Sequence, residues 1–421
     1  MIFNNLLNFI NNSYIFLKKN IHSVYLNSKI YNKRITPFVV GYLEYHPSPN
    51  LLNSLIKYDK KKINIENYTL NEIWDNKNLN EKDYKNLNSF FWLFSLDLKS
   101  SKKDTQNIIL QWIDKNHSYN SKSWEVDIVA KRIIAWTSNS KLTYEDSSSD
   151  YKNKFNSVVK KQINHLINEI ERSEWVDDKM IGCAAIILTG LSYQDKNDYL
   201  NIGLNLLRKL IKFSFDSDGF PKSRNLRQLN FYLKHFILIR EWLKESQNEI
   251  PDYINENIYY LGQAYAFTWQ NNKVDLLFNG NHETNNADFD HYLKKLGYNF
   301  KNQSNELGGY AALNNKKTSL IMDIGPSPDK KFSSNYQAGA LSFEILSGGK
   351  KLICNSGYFQ NHNHQLNNLS KSSAVHSTLT LDDRSSCKFN KTKNKISRIS
   401  HGLKILKKNI VFEKNYWKIN A

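Results

Sequence analysis

The chain has 421 residues, which exceeds one ordinary domain and is enough for two hydrophobic cores. Its 58 Lys and Arg residues outnumber its 40 Asp and Glu residues, so the formal net charge is +18, a balance that suits an anionic partner. The lysines are scattered along the whole chain and no nucleic-acid-binding motif accompanies them, so we interpret the charge mainly as composition bias and expect no nucleic-acid partner.

The cysteines bear on whether the chain forms disulfides, and the N-terminus bears on its cellular location. Cys183, Cys354 and Cys387 are widely spaced and odd in number, which predicts buried thiols rather than disulfides or a CxxC metal pair. The N-terminus lacks a basic start and a small-residue cleavage site, and no apolar run reaches about eighteen residues. We therefore expect no secretory signal, no transmembrane helix and a cytoplasmic location.

Apolar residues recur at helical spacing from residue 71 to residue 250, after an N-terminal extension of residues 1–70 that holds the first helices. The predicted helical segments are 90–98, 108–113, 124–136, 155–170, 180–191, 199–213 and 228–243. Segment 180–191 is almost wholly apolar, which predicts a buried inner helix. Helices joined by short loops pack as antiparallel hairpins, so we predict an (α/α) toroid-like domain, although a two-layer stack would give the same pattern.

The pattern changes after this region. Residues 251–300 include Pro251 and an Asn-rich stretch, and they are predicted as a linker. From 301 to 421 apolar and polar residues alternate around turns at Asn314-Asn315 and Ser347-Gly-Gly349, which predicts an antiparallel β-sandwich and an α+β multidomain chain. The predicted strands are 309–313, 318–324, 340–346, 351–355 and 377–382. The chain stops inside a strand pattern, so we expect a C-terminally truncated sandwich.

Several short motifs follow one another in this region. They are Gly309-Tyr310, Asp323-Ile-Gly-Pro326, Leu341-Ser-Phe-Glu344, Asn355-Ser-Gly357 and Ala374-Val-His-Ser-Thr378. Together they make the chain resemble the heparinase II/III-like polysaccharide lyases, which join a helical toroid to a β-sandwich. The resemblance implies β-elimination on acidic, uronate-containing polysaccharides such as glycosaminoglycans, a structural zinc, and a periplasmic or secreted location that conflicts with the missing signal.

The chain departs from the family pattern at the catalytic and zinc positions. The family usually has His-Ala-His-Ala-Asp before the Leu-Ser-Phe-Glu strand, whereas this chain has Asn335-Tyr-Gln-Ala-Gly339. Asn335 thus stands at the catalytic position and Gln337 at a ligand position, Asn355 replaces a common Asp ligand, and His376 keeps its identity. Two carboxamides and one imidazole are a poor zinc set. We predict no tightly bound zinc or other cofactor, and a hydrogen-bonded cluster of these three side chains instead.

The candidate catalytic residues are Asn335, Tyr336 and His376, taken from the resemblance and from their chemistry. Tyrosine can act as a general acid or base, but at a domain interface it also serves as packing. For His376 the alternative is a histidine whose hydrogen bonds are satisfied at the start of a strand.

The candidate substrate-binding residues are Arg224, Asn225 and Asp178. A guanidinium pairs bidentately with a carboxylate, so Arg224 would hold a uronate unless it is simply solvated. Asp177-Asp178 stand where the family has an Asn-His pair, and we interpret them as a helix N-cap, with a general acid as the alternative.

Two further groups of side chains each allow two interpretations. His362 and His364 lie two apart in an Asn-rich loop, which favours a surface loop over a metal pair. The tryptophans at 92, 112, 136 and 175 fit helix packing, although one or two of them would suit a sugar-stacking groove.

These observations support two hypotheses from different functional classes. The first is a polysaccharide lyase, a carbon–oxygen lyase, that acts on an acidic polysaccharide. The second is a non-catalytic carbohydrate-binding or envelope-assembly protein on a degenerate lyase scaffold. The sequence predicts neither the particular polysaccharide nor the oligomeric state.

Overall fold

The computed structural model describes residues 2–38, 41–49, 51–52, 74, 79–96, 101–193, 198–284, 286–302, 304–315, 317–362, 364–392, 395–413 and 417–420. The chain forms two compact units. The first unit is Met1–Leu207 with Glu245–Gln247, and the second is Arg208–Lys244 with Asn248–Ala421. Within the described residues, no helix combines the length and apolar character that crossing a bilayer requires.

Helices precede the sheets along the chain. The α-helices are α1 (Ile2–Leu26), α2 (Lys29–Ile35), α3 (Glu81–Ser89), α4 (Lys102–Asn116), α5 (Val126–Ser138), α6 (Ser140–Thr143), α7 (Ser149–Glu169), α8 (Val176–Ser192), α9 (Tyr199–Ser214), α10 (Leu226–Glu245), α11 (Asp252–Tyr265), α12 (Ala287–Lys295) and α13 (Gln365–Ser370). Shorter 3₁₀ segments are Phe91–Ser95, Ile170–Arg172, Lys330–Phe332 and Ser373–Val375, and Ala266–Gln270 is a π-helix. The predicted order of helices followed by antiparallel strands is confirmed.

The core of the first unit is built from the apolar stripes of its helices. Val129, Ile133 and Trp136 of α5 are fully buried, as the helical spacing predicts. Helix α8 is buried along nearly its whole length, which confirms the predicted inner helix. Trp92 and Trp112 are also buried, so they are packing residues.

Two local predictions for the helical region are wrong. The helix predicted over 90–98 is not formed in its described part, 90–96, because Phe90 adopts a left-handed backbone (φ 56°) that ends α3. The 3₁₀ turn Phe91–Ser95 follows, and Leu98 lies outside the described residues. The N-cap of α8 is Trp175, not the aspartate pair. Asp177 and Asp178 lie inside the first turn, where a carboxylate still complements the helix dipole.

The second unit contains a five-stranded antiparallel sheet in the order β1-β2-β3-β4-β5 and two two-stranded hairpins. The strands are β1 (Glu306–Leu307), β2 (Tyr310–Asn314), β3 (Thr318–Asp323), β4 (Phe343–Ser347), β5 (Lys350–Ile353), β6 (Lys388–Thr392), β7 (Lys395–His401), β8 (Asn409–Phe412) and β9 (Trp417–Asn420). Residue 310 pairs with residue 323 across β2 and β3, a register that brings the start of β2 beside the end of β3. This register positions the site described below.

The predicted turns of the sheet are present. Asn315 accepts hydrogen bonds from the backbone N–H groups of Lys317 and Thr318, which closes the β2–β3 turn. Gly348 (φ 54°) and Gly349 (φ 76°) link β4 to β5, and two successive positive φ angles are what a tight type I′ hairpin turn requires.

The predicted strand at 377–382 is absent. The Phe343 N–H donates to the Ser377 carbonyl oxygen (3.2 Å), so the segment begins beside β4. The chain then turns, and Asp382 and Asp383 both have positive φ. A short bridge between Leu381 and Arg384 closes this turn. The alternation of Ser, Thr and Leu predicted a strand, yet only its first residue lies along β4.

The region predicted as a linker, 251–300, is helical over much of its length. Helices α11 and α12 lie there, because Ile254, Ile258 and Leu261 supply a buried helical stripe that the neighbouring Asn-rich sequence obscures. The thiols also differ from expectation, since Cys183 and Cys387 are buried as predicted but Cys354 is exposed.

Candidate functional site

The three positions that the resemblance assigns to zinc ligands are held by hydrogen bonds. Gln337 accepts the Gly280 N–H at Oε1 (3.0 Å) and donates from Nε2 to the carbonyl oxygens of Gly357 (3.0 Å) and Ser370 (2.7 Å). His376 Nε2 lies 3.2 Å from the same Ser370 oxygen. Because a carbonyl oxygen only accepts, Nε2 carries the proton.

Asn355 is held in a neighbouring but separate set of hydrogen bonds. Its Oδ1 accepts from the backbone N–H of Ser377 (3.1 Å), and its Nδ2 donates to Glu344 Oε1 (3.2 Å). The three side chains therefore do not hydrogen-bond to one another as predicted, because each of them bonds to other groups of the chain. Gln337 and His376 are linked only through the shared carbonyl of Ser370.

These residues do not fit a zinc ion. Both amide oxygens are occupied by backbone N–H donors, and the imidazole directs its protonated nitrogen at a carbonyl. Burial lowers the pKa of His376 to about 4, so the ring is neutral and held by its hydrogen bond. Among the described residues, no group of three or more His, Cys, Asp or Glu side chains is placed to share a metal ion.

Glu344 is the buried carboxyl group beside these positions. Its Oε1 accepts the N–H groups of Leu277 (2.9 Å) and Asn355 (3.2 Å). Its Oε2 is buried and has no hydrogen-bond partner among the described residues, and burial raises the pKa of the group. A raised pKa favours the protonated form, which fits a bracing carboxyl better than a metal ligand.

Tyr336 belongs to the core. It is 2% exposed and packs in a cluster with Ala338, Cys387 and Ile399, and its hydroxyl lies 3.4 Å from Ser327 Oγ. Burial raises its pKa well above the ordinary value. A substrate-facing acid or base needs access that this position lacks, so the geometry supports the packing alternative.

Arg224 is fully engaged with the chain. Its NH2 lies 2.5 Å from Asp323 Oδ1 and 2.9 Å from the Gly309 oxygen, while Nε and NH1 donate to the carbonyls of Gly308 (3.1 Å) and Pro326 (2.9 Å). Burial acts to lower the pKa of Arg224, but the Asp323 charge outweighs it and raises the pKa. The geometry supports a structural ion pair rather than substrate-carboxylate binding.

Asn225 and Asp178 also have local partners. Asn225 Oδ1 accepts the N–H groups of Arg227 (2.9 Å) and Gln228 (3.2 Å), so it caps the start of α10. Asp178, in the first unit, accepts from Ser173 Oγ (3.0 Å), and burial raises its pKa to about 7. Asp178 thus keeps a proton-transfer capacity near neutral pH, whereas Asn225 is a cap.

A chain of hydrogen bonds runs through Asn335, the remaining candidate. Tyr358 Oη donates to Asn335 Oδ1 (3.1 Å) and lies 3.3 Å from His362 Nδ1. Because the amide oxygen can only accept, the tyrosine proton points to Asn335, and the tyrosine oxygen must accept from His362 Nδ1–H. This order places the lone pair of His362 on Nε2, the arrangement of a general base.

A cationic side chain, Arg227, and a second histidine, His282, belong to the surroundings of Tyr358. Burial raises the pKa of Tyr358 to about 12, while a hydrogen bond involving Asn367 and the charge of Arg227 act in the opposite direction. Burial, and then Arg227, lower the pKa of His282. We call Asn335, Tyr358, His362, His282 and Arg227 the Tyr358 site.

The backbone fixes this site from one side. The Tyr358 N–H donates to the Asn281 oxygen (2.7 Å), which ties the residue after Gly357 to the loop that carries His282. Gln360 Nε2 lies 3.1 Å from His282 Nδ1 and links the two loops again.

Sequence reasoning did not include Tyr358, Arg227 or His282 in the site. Tyr358 directly follows the motif Asn355-Ser-Gly357, and His362 lies four residues later, which is the only available signal. His364 is not a metal partner of His362, because its Nδ1 accepts the Leu366 N–H (3.2 Å) and caps α13.

The C-terminal part of the chain matches a known family. Residues 302–420 match the family described as heparinase II/III-like, C-terminal. The chain therefore carries a heparinase II/III-like domain, and the predicted family resemblance is confirmed.

Solved structures give the same result at the level of the fold. A mutant of heparan sulfate lyase HepC from Pedobacter heparinus matches with a TM-score of 0.58 at 15% identity, over 74% of this chain and 57% of that one. A heparinase III matches with a TM-score of 0.57 at 16% identity, over 74% of this chain and 56% of that one. A second heparinase III gene product gives 0.56 at 16% identity, over 74% and 58%. This chain spans less than two thirds of each of those proteins, and no curated protein matches it.

The Arg224–Asp323 ion pair gives a stability prediction. Arg224→Met leaves a buried carboxylate without its cation, so we expect the free energy of unfolding to fall by about 3–5 kcal/mol in chemical denaturation. The control is Arg240→Met in α10, the helix that follows Arg224; the Arg240 side chain is 29% exposed in its pair with Glu241, so we expect a loss of about 1 kcal/mol or less. Equal losses for the two variants would contradict the structural role of Arg224.

Lys371 gives a pH prediction. Its Nζ is buried and donates to the carbonyls of Ser334 (2.8 Å) and Ile396 (3.0 Å), and burial lowers its pKa from 10.5 to about 8. Between pH 8 and 10.5 the unfolded chain therefore binds more protons than the folded one, so this group makes stability rise with pH.

The comparison variant is Lys371→Met, which removes the titration. We expect the stability of the wild type relative to this variant to increase by about 2 kcal/mol between pH ~7.5 and ~9.5, measured by denaturant unfolding. A difference that stays constant or shrinks over this interval would show that Lys371 is not a destabilised buried cation.

Proposed function

We propose that the protein is a polysaccharide lyase that cleaves a uronate-containing polysaccharide by β-elimination at the Tyr358 site. The observation that carries this proposal is the ordered chain Asn335–Tyr358–His362, which fixes the tautomer of an exposed histidine. A positioned base of defined tautomer is what abstraction of a weakly acidic C–H proton requires.

The reaction uses three groups of the Tyr358 site. His362 Nε2 takes the C5 proton of the uronate, the C4–O bond to the leaving sugar breaks, and a C4=C5 double bond forms. The same imidazolium then returns the proton to the leaving oxygen, so that charge and atoms balance. Asn335 and Tyr358 are positioning residues, because they act on the substrate only through His362.

Arg227 is assigned to the substrate carboxylate in place of Arg224. Its charge acts on both Tyr358 and His282, which supports assigning it to this site. Neutralising the uronate carboxylate stabilises the negative charge that develops as C5–H is removed. Arg224 is three residues earlier but is engaged by Asp323 and three carbonyls.

The fold comparisons support the substrate class. The similar structures are a heparan sulfate lyase and heparinases, so an acidic glycosaminoglycan is the first substrate to test. The replaced zinc positions do not oppose catalysis, because Gln337 and Asn355 hold the backbone near the Tyr358 site by hydrogen bonds.

The test follows the ultraviolet absorbance of the unsaturated uronate product during incubation with heparan sulfate, chondroitin sulfate, hyaluronan and alginate. We expect a rise with at least one polymer. His362→Gln should lower the initial rate by about 10²–10⁴-fold, the usual contribution of a general base. Tyr358→Phe should lower kcat by about tenfold or more, because it releases the His362 tautomer.

The matched control is His364→Gln, two residues away in the same loop, which should keep full activity. A flat trace for the wild type with retained binding of one polymer would replace the proposal by the non-catalytic carbohydrate-binding alternative. Full activity in His362→Gln would overturn the assignment of the base.

A further inference from the structure

A cavity of about 710 Å³ lies in the first unit, between α1, α2 and the end of α7. This volume is in the range of small-ligand sites. Its walls are aromatic and aliphatic side chains of α1 and α2, including Tyr14, Leu17 and Tyr25. Tyr14 is 64% exposed and Leu17 58% exposed, so an apolar and aromatic surface faces solvent at this cavity.

The floor of the cavity is polar and contains both hydrogen-bond donors and acceptors. His22 Nε2 lies 2.7 Å from Glu169 Oε2, and Arg172 Nε lies 3.7 Å from Glu169 Oε1. Asn168 presents its amide oxygen to Arg34 NH2 at 3.3 Å. Side chains of this kind recognise hydroxyl groups, which both donate and accept.

The charge around the cavity is positive. Of the described lining residues, Lys18, Arg34 and Arg172 are cationic and Glu169 is the carboxylate. Within the described part of the chain, Arg34 donates to the neutral groups Tyr25 Oη (3.0 Å) and Asn168 Oδ1 (3.3 Å), and the charge of Glu169 also acts on it. A guanidinium whose hydrogen bonds go to neutral groups keeps its charge available for an anionic ligand.

We propose that this cavity is a glycan-binding site for a short acidic oligosaccharide segment, separate in its residues from the Tyr358 site. The anionic group of one sugar pairs with Arg34, the ring packs on the tyrosine side chains, and hydroxyl groups bond to Glu169 and Asn168. The floor groups already pair with one another, and the carboxylate and amide oxygens of Glu169 and Asn168 keep further lone pairs that hydroxyl groups can donate to. The acyl part of a lipid has no such hydroxyl groups, so the floor favours a sugar.

The experiment measures binding of a heparan sulfate hexasaccharide and a hyaluronan hexasaccharide by calorimetry. The protein is the full chain with Arg227→Gln and His362→Gln, which removes turnover and weakens the Tyr358 site. Failure of the lyase proposal therefore does not affect this measurement. Adding Arg34→Gln should weaken binding of one of the two hexasaccharides at least tenfold, with an unchanged circular dichroism spectrum.

Lys33→Gln is the matched control, because Lys33 is the neighbouring exposed cation of α2 and does not line the cavity. It should leave the affinity nearly unchanged. Equal weakening by Lys33→Gln and Arg34→Gln would overturn the proposal in favour of general charge attraction. Binding of phosphatidylserine vesicles that is lost in Arg34→Gln, with no binding of either hexasaccharide, would also overturn it and assign the cavity to a lipid surface.

Discussion

The buried ion pair between Arg224 and Asp323 is the interaction on which the arrangement of the second unit depends. The Arg224 guanidinium donates hydrogen bonds to the carbonyls of Gly308, Gly309 and Pro326. These bonds join the turn before α10 to the start of β2 and the end of β3. The approach is close enough that a Cβ on Gly325 would lie 2.5 Å from Arg224 Cζ. Asp323 Oδ2 then accepts from Asn279 Nδ2 (2.9 Å), which extends the network into the loop at 279–282.

That loop connects the ion pair to the Tyr358 site. Gly280 donates to Gln337, and the Asn281 oxygen accepts from Tyr358, so the position of the tyrosine follows from the ion pair through successive hydrogen bonds. Gln337 fixes three backbone segments with one amide. Neutral amides satisfy these buried backbone groups without an ion's desolvation cost.

The sequence predicts periodic elements well and side-chain roles poorly. The stripe of α5 and the glycine turn at 348–349 follow from local rules, and both are present. The segment 377–382 has the same alternation as a strand, but the positive φ angles of Asp382 and Asp383 depend on contacts that alternation does not encode. The role of Arg224 depends on Asp323, which is 99 residues away in sequence, so no local pattern separates it from Arg227.

The order of the hydrogen bonds through Asn335, Tyr358 and His362 is the central claim about the site. The tautomer of His362 reports it directly, through the ¹⁵N chemical shifts of the ring in the full-length protein, with the resonance assigned by its loss in His362→Gln. We predict an Nδ1-protonated ring with an unprotonated Nε2, and a change of this pattern in Tyr358→Phe. An Nε2-protonated ring would place the lone pair towards Tyr358 and would contradict the assignment of His362 as the base.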